Sequence, residues 1–288
     1  MKRRLFALLH SLSAIKLVSW LTRRRVPIVC YHSVTQVPVK VDPHKQHIPL
    51  PLFLQHLDYL QKHYRVISLS QYLEARRENR RLPHHSAVLT FDDGFADFYS
   101  VVAPELNRRK IPATVFVITD RASGGFVPNG ESFLTWDQIR ELAAKGVEIG
   151  SHSCSHPRLT DLSVDEITRE LADSREALAT CVGHSRIPLS YPFGQMSGAV
   201  AGQAEALGYT CAIANDAGPN SDTRNLYELS RTVIASDDDL ATFAGRISGL
   251  TWLSNRARSF LRSENDVVWE PSFTAPYASA GELTRLNL

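Results

Sequence analysis

The amino-acid sequence predicts an α/β fold: a closed or nearly closed barrel of seven or eight parallel strands. Three observations predict it. From Val26 onward, short apolar and β-branched runs alternate with longer helical patterns, and connections of that length imply parallel strands joined by right-handed crossovers. No glycine-rich dinucleotide turn follows any of these strands, which argues against an open nucleotide-binding sheet. The chain has 288 residues, enough to bury the core of one barrel without disulfides or metal staples.

Taken in order, Val26–Tyr31 reads as a buried strand. Residues 51–63 place Phe53, Leu54, Leu57 and Leu60 on one helical face, with proline at the start. Val66–Leu69 predicts a short strand and Ser70–Glu78 a helix. Ala87–Phe91 predicts a strand, and a helix is expected from Phe95 to Arg109. Strands at Ala113–Ile118 and Val147–Ile149 enclose a helix at 136–145. The helix at 163–182 opens with Ser163 and has Glu166 three residues on, a capping box. Strands at Leu189–Tyr191, Thr210–Ala214 and Leu229–Ile234 complete the series, with a helix at 198–207 among them. The domain organisation read from this pattern is a basic amphipathic segment over 1–25, a barrel over 26–262 and an extended tail over 263–288.

The net charge of +2 excludes a whole-surface polyanion binder, but the charge is uneven. Residues 1–25 carry seven basic side chains and no acidic one, whereas the remainder has 25 basic against 30 acidic. No basic patch interleaved with aromatics occurs beyond that segment, so a nucleic-acid partner is not expected. The apolar run from Leu5 to Leu9 is far short of the ~20 residues of a membrane span. Instead Leu5, Leu8, Leu9, Leu12, Ile15 and Leu17 approach helical spacing between cationic flanks, a pattern that suits the surface of an anionic membrane, a helix packed on the body or a partner, or a poorly formed secretory signal. A membrane-associated or cytoplasmic location is favoured over export. The four cysteines are widely spaced without a C-x-x-C, so a disulfide framework is not expected.

Two segments concentrate chemistry. Asp92 and Asp93 are adjacent at the end of an apolar strand. Like charges so close repel unless a cation or a proton relieves them, although an aspartate pair also suits a helix N-terminus. His152 and His156 are four apart just after another strand, a spacing that brings two imidazoles to one ion or arises incidentally. In a barrel both segments fall on the C-terminal face, where active sites lie. One aspartate and two histidines make a three-ligand site with positions open for water. Ser190-Tyr191-Pro192-Phe193-Gly194 closes a third strand and Tyr31-His32 the first; both would share that face. Nucleophile-elbow, P-loop and H-E-x-x-H templates are absent.

Thr90-Phe-Asp-Asp-Gly94, His152-Ser-Cys-Ser-His-Pro157 and Tyr191-Pro-Phe-Gly194, in that order, resemble the polysaccharide deacetylases with a NodB-type domain. Val29-Cys-Tyr-His-Ser-Val34 adds a likeness to the circularly permuted branch that includes poly-N-acetylglucosamine deacetylases. The resemblance covers about residues 26–250. It implies a distorted, NodB-like (β/α) barrel and a hydrolase of non-peptide carbon–nitrogen bonds that removes N-acetyl groups from an amino-sugar polysaccharide or glycolipid. It also implies one divalent metal, zinc first and iron, cobalt or manganese as alternatives, held by Asp93, His152 and His156. Asp92 is then the base, His32 the acid, and the Phe193 N–H an oxyanion donor; Tyr31, Tyr191 and Pro192 would line the substrate groove. The family's late Leu-x-His is absent, so the acid role rests on His32. The arginine that usually precedes the Pro-aromatic motif is missing as well. Arg231 is the replacement expected to orient Asp92, with Arg186 a poorer candidate. A deacylase of small amides and a non-catalytic glycan- or membrane-binding component of an exopolysaccharide assembly are the alternative functions.

Overall fold

The computed structural model describes residues 12–37, 39, 42–122, 132–215, 220–221, 223–250 and 252–253. Its centre is a parallel sheet of β1 (Ile28–Tyr31), β5 (Ser86–Phe91), β6 (Thr114–Val117), β7 (Glu148–Ser151), β8 (Leu189–Ser190), β9 (Ala212–Ala214), β10 (Leu229–Ser230) and β11 (Thr232–Val233), ordered β10-β9-β8-β7-β6-β5-β1-β11. Only Arg231 separates β10 from β11. One extended segment therefore pairs first with β9, Leu229 opposite Ile213, and then with β1, Thr232 opposite Val29. This handover makes the sheet a nearly closed barrel. The single strand expected over 229–234 is broken where it changes partner.

β2 (Ser33–Thr35) and β3 (His47–Pro49) form a separate parallel pair beyond β1. β4 (Arg65–Val66) pairs only with the first residues of β5; the strand expected over 66–69 lies earlier and is shorter, because Ser68 is already a helix cap. The helices are α1 (Leu12–Thr22), α2 (Leu50–His63), α3 (Leu69–Arg77), α4 (Ala103–Arg109), α5 (Trp136–Ala144), α6 (Val164–Val182), α7 (Gly198–Ala206) and α8 (Leu240–Ile247). The Ser163–Glu166 capping box is present at α6. The helix expected from Phe95 starts later, as a π-turn over Phe98–Val102. There the Ala103 N–H reaches the Phe98 carbonyl, and Pro104, which has no N–H, follows at the start of α4. The sequence reading missed α8, which Asp239 caps through the Thr242 N–H. The tail over 263–288 and the basic residues at 2–4 lie outside the described residues.

Strand alternation sorts the core into two clusters. Ile28, Val88, Phe116, Cys211, Ile213 and Leu229 pack together with Leu69, Tyr72 and Leu73 of α3, which plugs the N-terminal end of the barrel. Val29, Tyr31, Leu89, Phe91, Val115 and Val117 pack in the larger cluster with residues of the surrounding helices. Every residue of β1 and β5 is buried, as expected for parallel strands covered on both faces. A Cβ at Gly150 would lie 2.4 Å from the Phe116 ring, so Phe116 requires the glycine on β7.

Candidate active site

Period two continues past the strand ends and positions the polar residues. Cys30, Thr90 and Asp92 share one side of β1 and β5, and Arg231 shares the side of Leu229. At the C-terminal mouth, Arg231 Nη1 donates to Asp92 Oδ2 at 2.6 Å and to Ser190 Oγ at 2.6 Å. Ser190 Oγ in turn donates to Asp92 Oδ2 at 3.2 Å. Asp92 and Arg231 are 1% and 3% exposed, so this is a buried ion pair supported by extra hydrogen bonds. Burial alone would raise the Asp92 pKa; Arg231 and then His152 reverse that and lower it. Asp92 Oδ1 is buried and has no hydrogen-bond partner among the described residues.

Beside this pair, Asp93 Oδ1 lies 3.4 Å from His152 Nε2 and 3.6 Å from His156 Nε2, and the two imidazole nitrogens are 3.2 Å apart. Such crowding of donor atoms suits a shared cation, and these three residues form a group able to hold one metal ion. His152 Nδ1 faces the Ser190 carbonyl at 2.8 Å. A proton donated there leaves the Nε2 lone pair for a metal, the usual arrangement of a ligating histidine. Burial works to lower the His152 pKa, but Asp92 and Asp93 outweigh it and raise it. Burial and then the His152 charge push His156 down to about 3.

The loop between the two histidines is held by hydrogen bonds from several elements. Glu170 of α6 accepts from the Cys154 and Ser155 N–H groups at 3.0 Å each and from Ser155 Oγ at 2.6 Å. Ser153 Oγ accepts from the His156 N–H. Asp93, Ser153, His156 and Phe193 all have φ between +58° and +66°, a region costly for side-chain-bearing residues. Among the described residues, four of the eight non-glycine residues with positive φ thus belong to these motif segments.

The expected site residues divide. Asp92, Asp93, His152, His156 and Arg231 converge. His32 is close enough for its titration to respond to Asp93 and Asp92, which oppose the lowering that burial causes, and its Nδ1 is buried without a hydrogen-bond partner among the described residues. Phe193 lies in the turn Pro192–Gly194, its ring centroid 4.6 Å from that of His156 and 4.6 Å from the Arg158 guanidinium. Tyr31 and Tyr191 depart from expectation. Both are wholly buried, with hydroxyls committed to His56 Nδ1 and the Tyr227 carbonyl, so they are core residues rather than groove walls. Pro192 is buried too. Arg186 leads into β8 at the opposite end of the barrel, so Arg231 alone of the two candidates reaches Asp92.

Sequence reading missed Asn215 and Glu170 and gave Ser190, the first residue of a motif it did single out, no role. Asn215 Oδ1 accepts from Arg231 Nε while its Nδ2 donates to the Phe193 carbonyl, tying the arginine to that turn. A Cβ at Gly194 would lie 2.0 Å from the Asn215 side chain, and Gly194 has φ +66°, so the turn needs glycine on both counts. Ser190 and Asn215 did carry a signal, since each is a polar residue ending an apolar strand. Glu170 looked like any solvated helix residue.

A parallel barrel with paired carboxylates and paired imidazoles at its C-terminal mouth defines an α/β-barrel hydrolase. Comparison with known proteins makes this specific. Residues 79–212 match the polysaccharide deacetylase family. YxkH of Bacillus subtilis, named as a polysaccharide deacetylase, is 24% identical over 227 residues, covering 78% of this chain and 77% of that protein. The poly-β-1,6-N-acetyl-D-glucosamine N-deacetylase of Escherichia coli is 27% identical over 64% of this chain, which spans only 33% of that longer protein. The structure of the Streptococcus pyogenes deacetylase PplD in complex with acetate superposes with a TM-score of 0.68 at 26% identity, covering 77% of this chain and 98% of that one. The chain is thus similar to the polysaccharide deacetylases, most directly over residues 79–212, and is a hydrolase of carbon–nitrogen bonds other than peptide bonds.

Proposed function

We propose that the protein removes N-acetyl groups from an amino-sugar polysaccharide, with Asp92 as the base. The observation that carries this reading is the division of labour within one carboxylate. Asp92 Oδ2 is held by Arg231 and Ser190, while Oδ1 is left without a partner beside the Asp93, His152 and His156 group. The donor set, one carboxylate and two imidazoles, fits a divalent ion of the zinc type, with iron, cobalt or manganese as alternatives. When bound, such an ion polarises the amide carbonyl and lowers the pKa of water at the site.

The chain's own groups do the rest. Asp92 Oδ1 takes a proton from the attacking water, and Arg231 keeps the carboxylate ionised for that task. The Phe193 N–H, set by the left-handed turn, assists the developing oxyanion. Protonated His32 delivers a proton to the leaving amine nitrogen as the carbon–nitrogen bond breaks, giving acetate and a free amino sugar. The substrate class follows the relatives, among them the poly-β-1,6-N-acetyl-D-glucosamine enzyme.

The test is acetate release from β-1,6-linked N-acetylglucosamine oligomers of several lengths by zinc-loaded protein, with Asp92→Asn in parallel. The wild type should release acetate, and the variant should be slower by about 10²–10⁴-fold, the scale of a lost general base. Equal rates would remove Asp92 from the base role, and silence from both would remove amino-sugar oligomers as substrates.

A further inference from the structure

The N-terminal end of the barrel, opposite the active-site mouth, combines an exposed apolar stripe with a surplus of exposed cations. Helix α1 lies against this end. Val18 is buried, Thr22 Oγ1 donates to the Ser248 carbonyl, and Ser19 Oγ meets His85, the residue before β5. The outer side of α1 carries Leu17, Trp20 and Leu21 at 59%, 56% and 59% exposure. Their spacing of three and four places them on one stripe. Arg23 lies over the Trp20 ring at 4.2 Å, leaving the aromatic beside a cation.

The segments leading into β1, β5, β6, β7 and β8 all open on this end, because the strands are parallel. They carry the exposed cations Arg24, Arg80, Arg81, Lys110, Lys145 and Arg186, against the exposed acid Glu78. The opposite mouth carries Asp92, Asp93 and Asp97 after β5, and Asp237, Asp238 and Asp239 after β11. The approaches at the α1 end thus carry a surplus of exposed cations, whereas at the mouth Asp92, Asp237 and Asp238 are paired with Arg231, Lys45 and Arg246. Exposed apolar and aromatic side chains on an end that also carries cations are the chemistry of a lipid–water interface. A soluble anionic polymer would use the cations but give no reason to expose Leu17, Trp20 and Leu21. Among the described residues no helix is long and apolar enough to cross a membrane, so the contact is a surface one.

We propose that this end of the barrel docks on an anionic lipid bilayer, with Leu17, Trp20 and Leu21 entering the interface and the surrounding arginines and lysines on the headgroups. Docked so, the protein turns its mouth away from the lipid by the length of the barrel, about 20 Å for a six-residue strand. This orientation rests on the hydrolase reading above and deepens it. The mouth meets a glycan that extends into water, a polymer chain rather than the headgroup of a glycolipid in the same membrane.

The experiment is flotation of the full chain with vesicles of phosphatidylcholine containing phosphatidylglycerol, and with phosphatidylcholine alone. Binding to the anionic vesicles should exceed binding to the neutral ones by about tenfold or more and fall with salt. The triple variant Leu17→Asp/Trp20→Asp/Leu21→Asp should stay with the unbound fraction while melting as the wild type does. Arg24→Glu/Arg81→Glu/Arg186→Glu, changed where all three side chains are exposed, should weaken binding without touching the apolar stripe. Equal binding to both vesicle types, flotation of the triple variant, or a wild-type dimer that the triple variant loses would each overturn the proposal. Acetate release from soluble oligomers should be the same with and without bound vesicles. Loss of turnover on the vesicle would overturn the orientation alone, and absence of turnover in solution would overturn the hydrolase reading while leaving the docking result intact.

Discussion

At the scale of single residues, the site depends on Arg231 more than its distance from the motif residues in sequence suggests. Its guanidinium is buried and shared among Asp92, Ser190 and Asn215. A lysine in its place lacks the rigid fork by which Nη1 serves Asp92 and Ser190 while Nε serves Asn215. Removing the cation altogether leaves a buried carboxylate uncompensated, a change that costs about 3–5 kcal/mol. Arg231→Met is therefore expected to be both destabilised on that scale and slow, whereas Arg231→Lys should recover most of the stability but only part of the rate. Urea titration alongside acetate release checks this, and an Arg231→Met protein with wild-type stability and rate would show that the pair has no function. Arg231 was legible because Leu229-Ser-Arg-Thr ends a strand of a closed barrel, so its arginine had to reach the mouth. Tyr31 and Tyr191 were misplaced for the same kind of reason. A strand's last residue faces either the barrel interior or the helix layer, and their parity sends them outward into the core.

At the scale of elements, α2 and α8 are joined by a buried histidine that sequence patterning treats as an ordinary polar residue. His56 stacks on Phe243 with ring centroids 4.1 Å apart and planes 7° from parallel, and its Nδ1 meets the Tyr31 hydroxyl at 3.0 Å. Burial lowers its pKa to about 4. The folded protein thus keeps His56 neutral down to that pH, whereas the unfolded chain takes up a proton near 6.5. The sign follows from linkage: its contribution is fully present above pH 6.5 and is lost as pH falls toward 4. Between pH 7 and 4.5 the loss should reach about 2–3 kcal/mol. His56→Phe keeps a ring on Phe243 and has nothing to protonate, so urea unfolding at the two pH values should show a smaller acid loss by that amount. Equal losses would mean that His56 is protonated without cost. Helix α8 escaped the sequence reading although Asp239, Phe243 and Ile247 carry a cap and an apolar spacing. The three aspartates before it look like a solvated turn, and Gly245 weakens the helical pattern.

At the scale of the whole molecule, the parallel order of the strands was legible because it follows from connection length alone. The way the barrel closes was not, because one segment serving two neighbours leaves no mark in a hydrophobic pattern. That closure brings Arg231, between the last two strands, to Asp92 on an early one, while the direct pairing of β5, β6 and β7 sets His152 and His156 beside Asp93. Three donor atoms crowded within 4.8 Å repel or leave lone pairs opposed unless a proton or a metal cation joins them. A metal that binds only the folded arrangement must therefore stabilise the entire barrel, by about 4 kcal/mol at a free concentration a thousand times its dissociation constant. Zinc added to chelator-treated protein should raise the melting temperature by several degrees, about 2–4 °C for each kcal/mol in a chain of this length. Asp93→Ala should abolish the rise. Glu170→Ala should reduce it instead, because its carboxylate holds the loop between the two histidines without being a donor, and loss of such support weakens metal sites about 10–100-fold. A zinc-induced rise that survives in Asp93→Ala would place the ion elsewhere, and no rise in the wild type would mean that the crowded donors hold no metal.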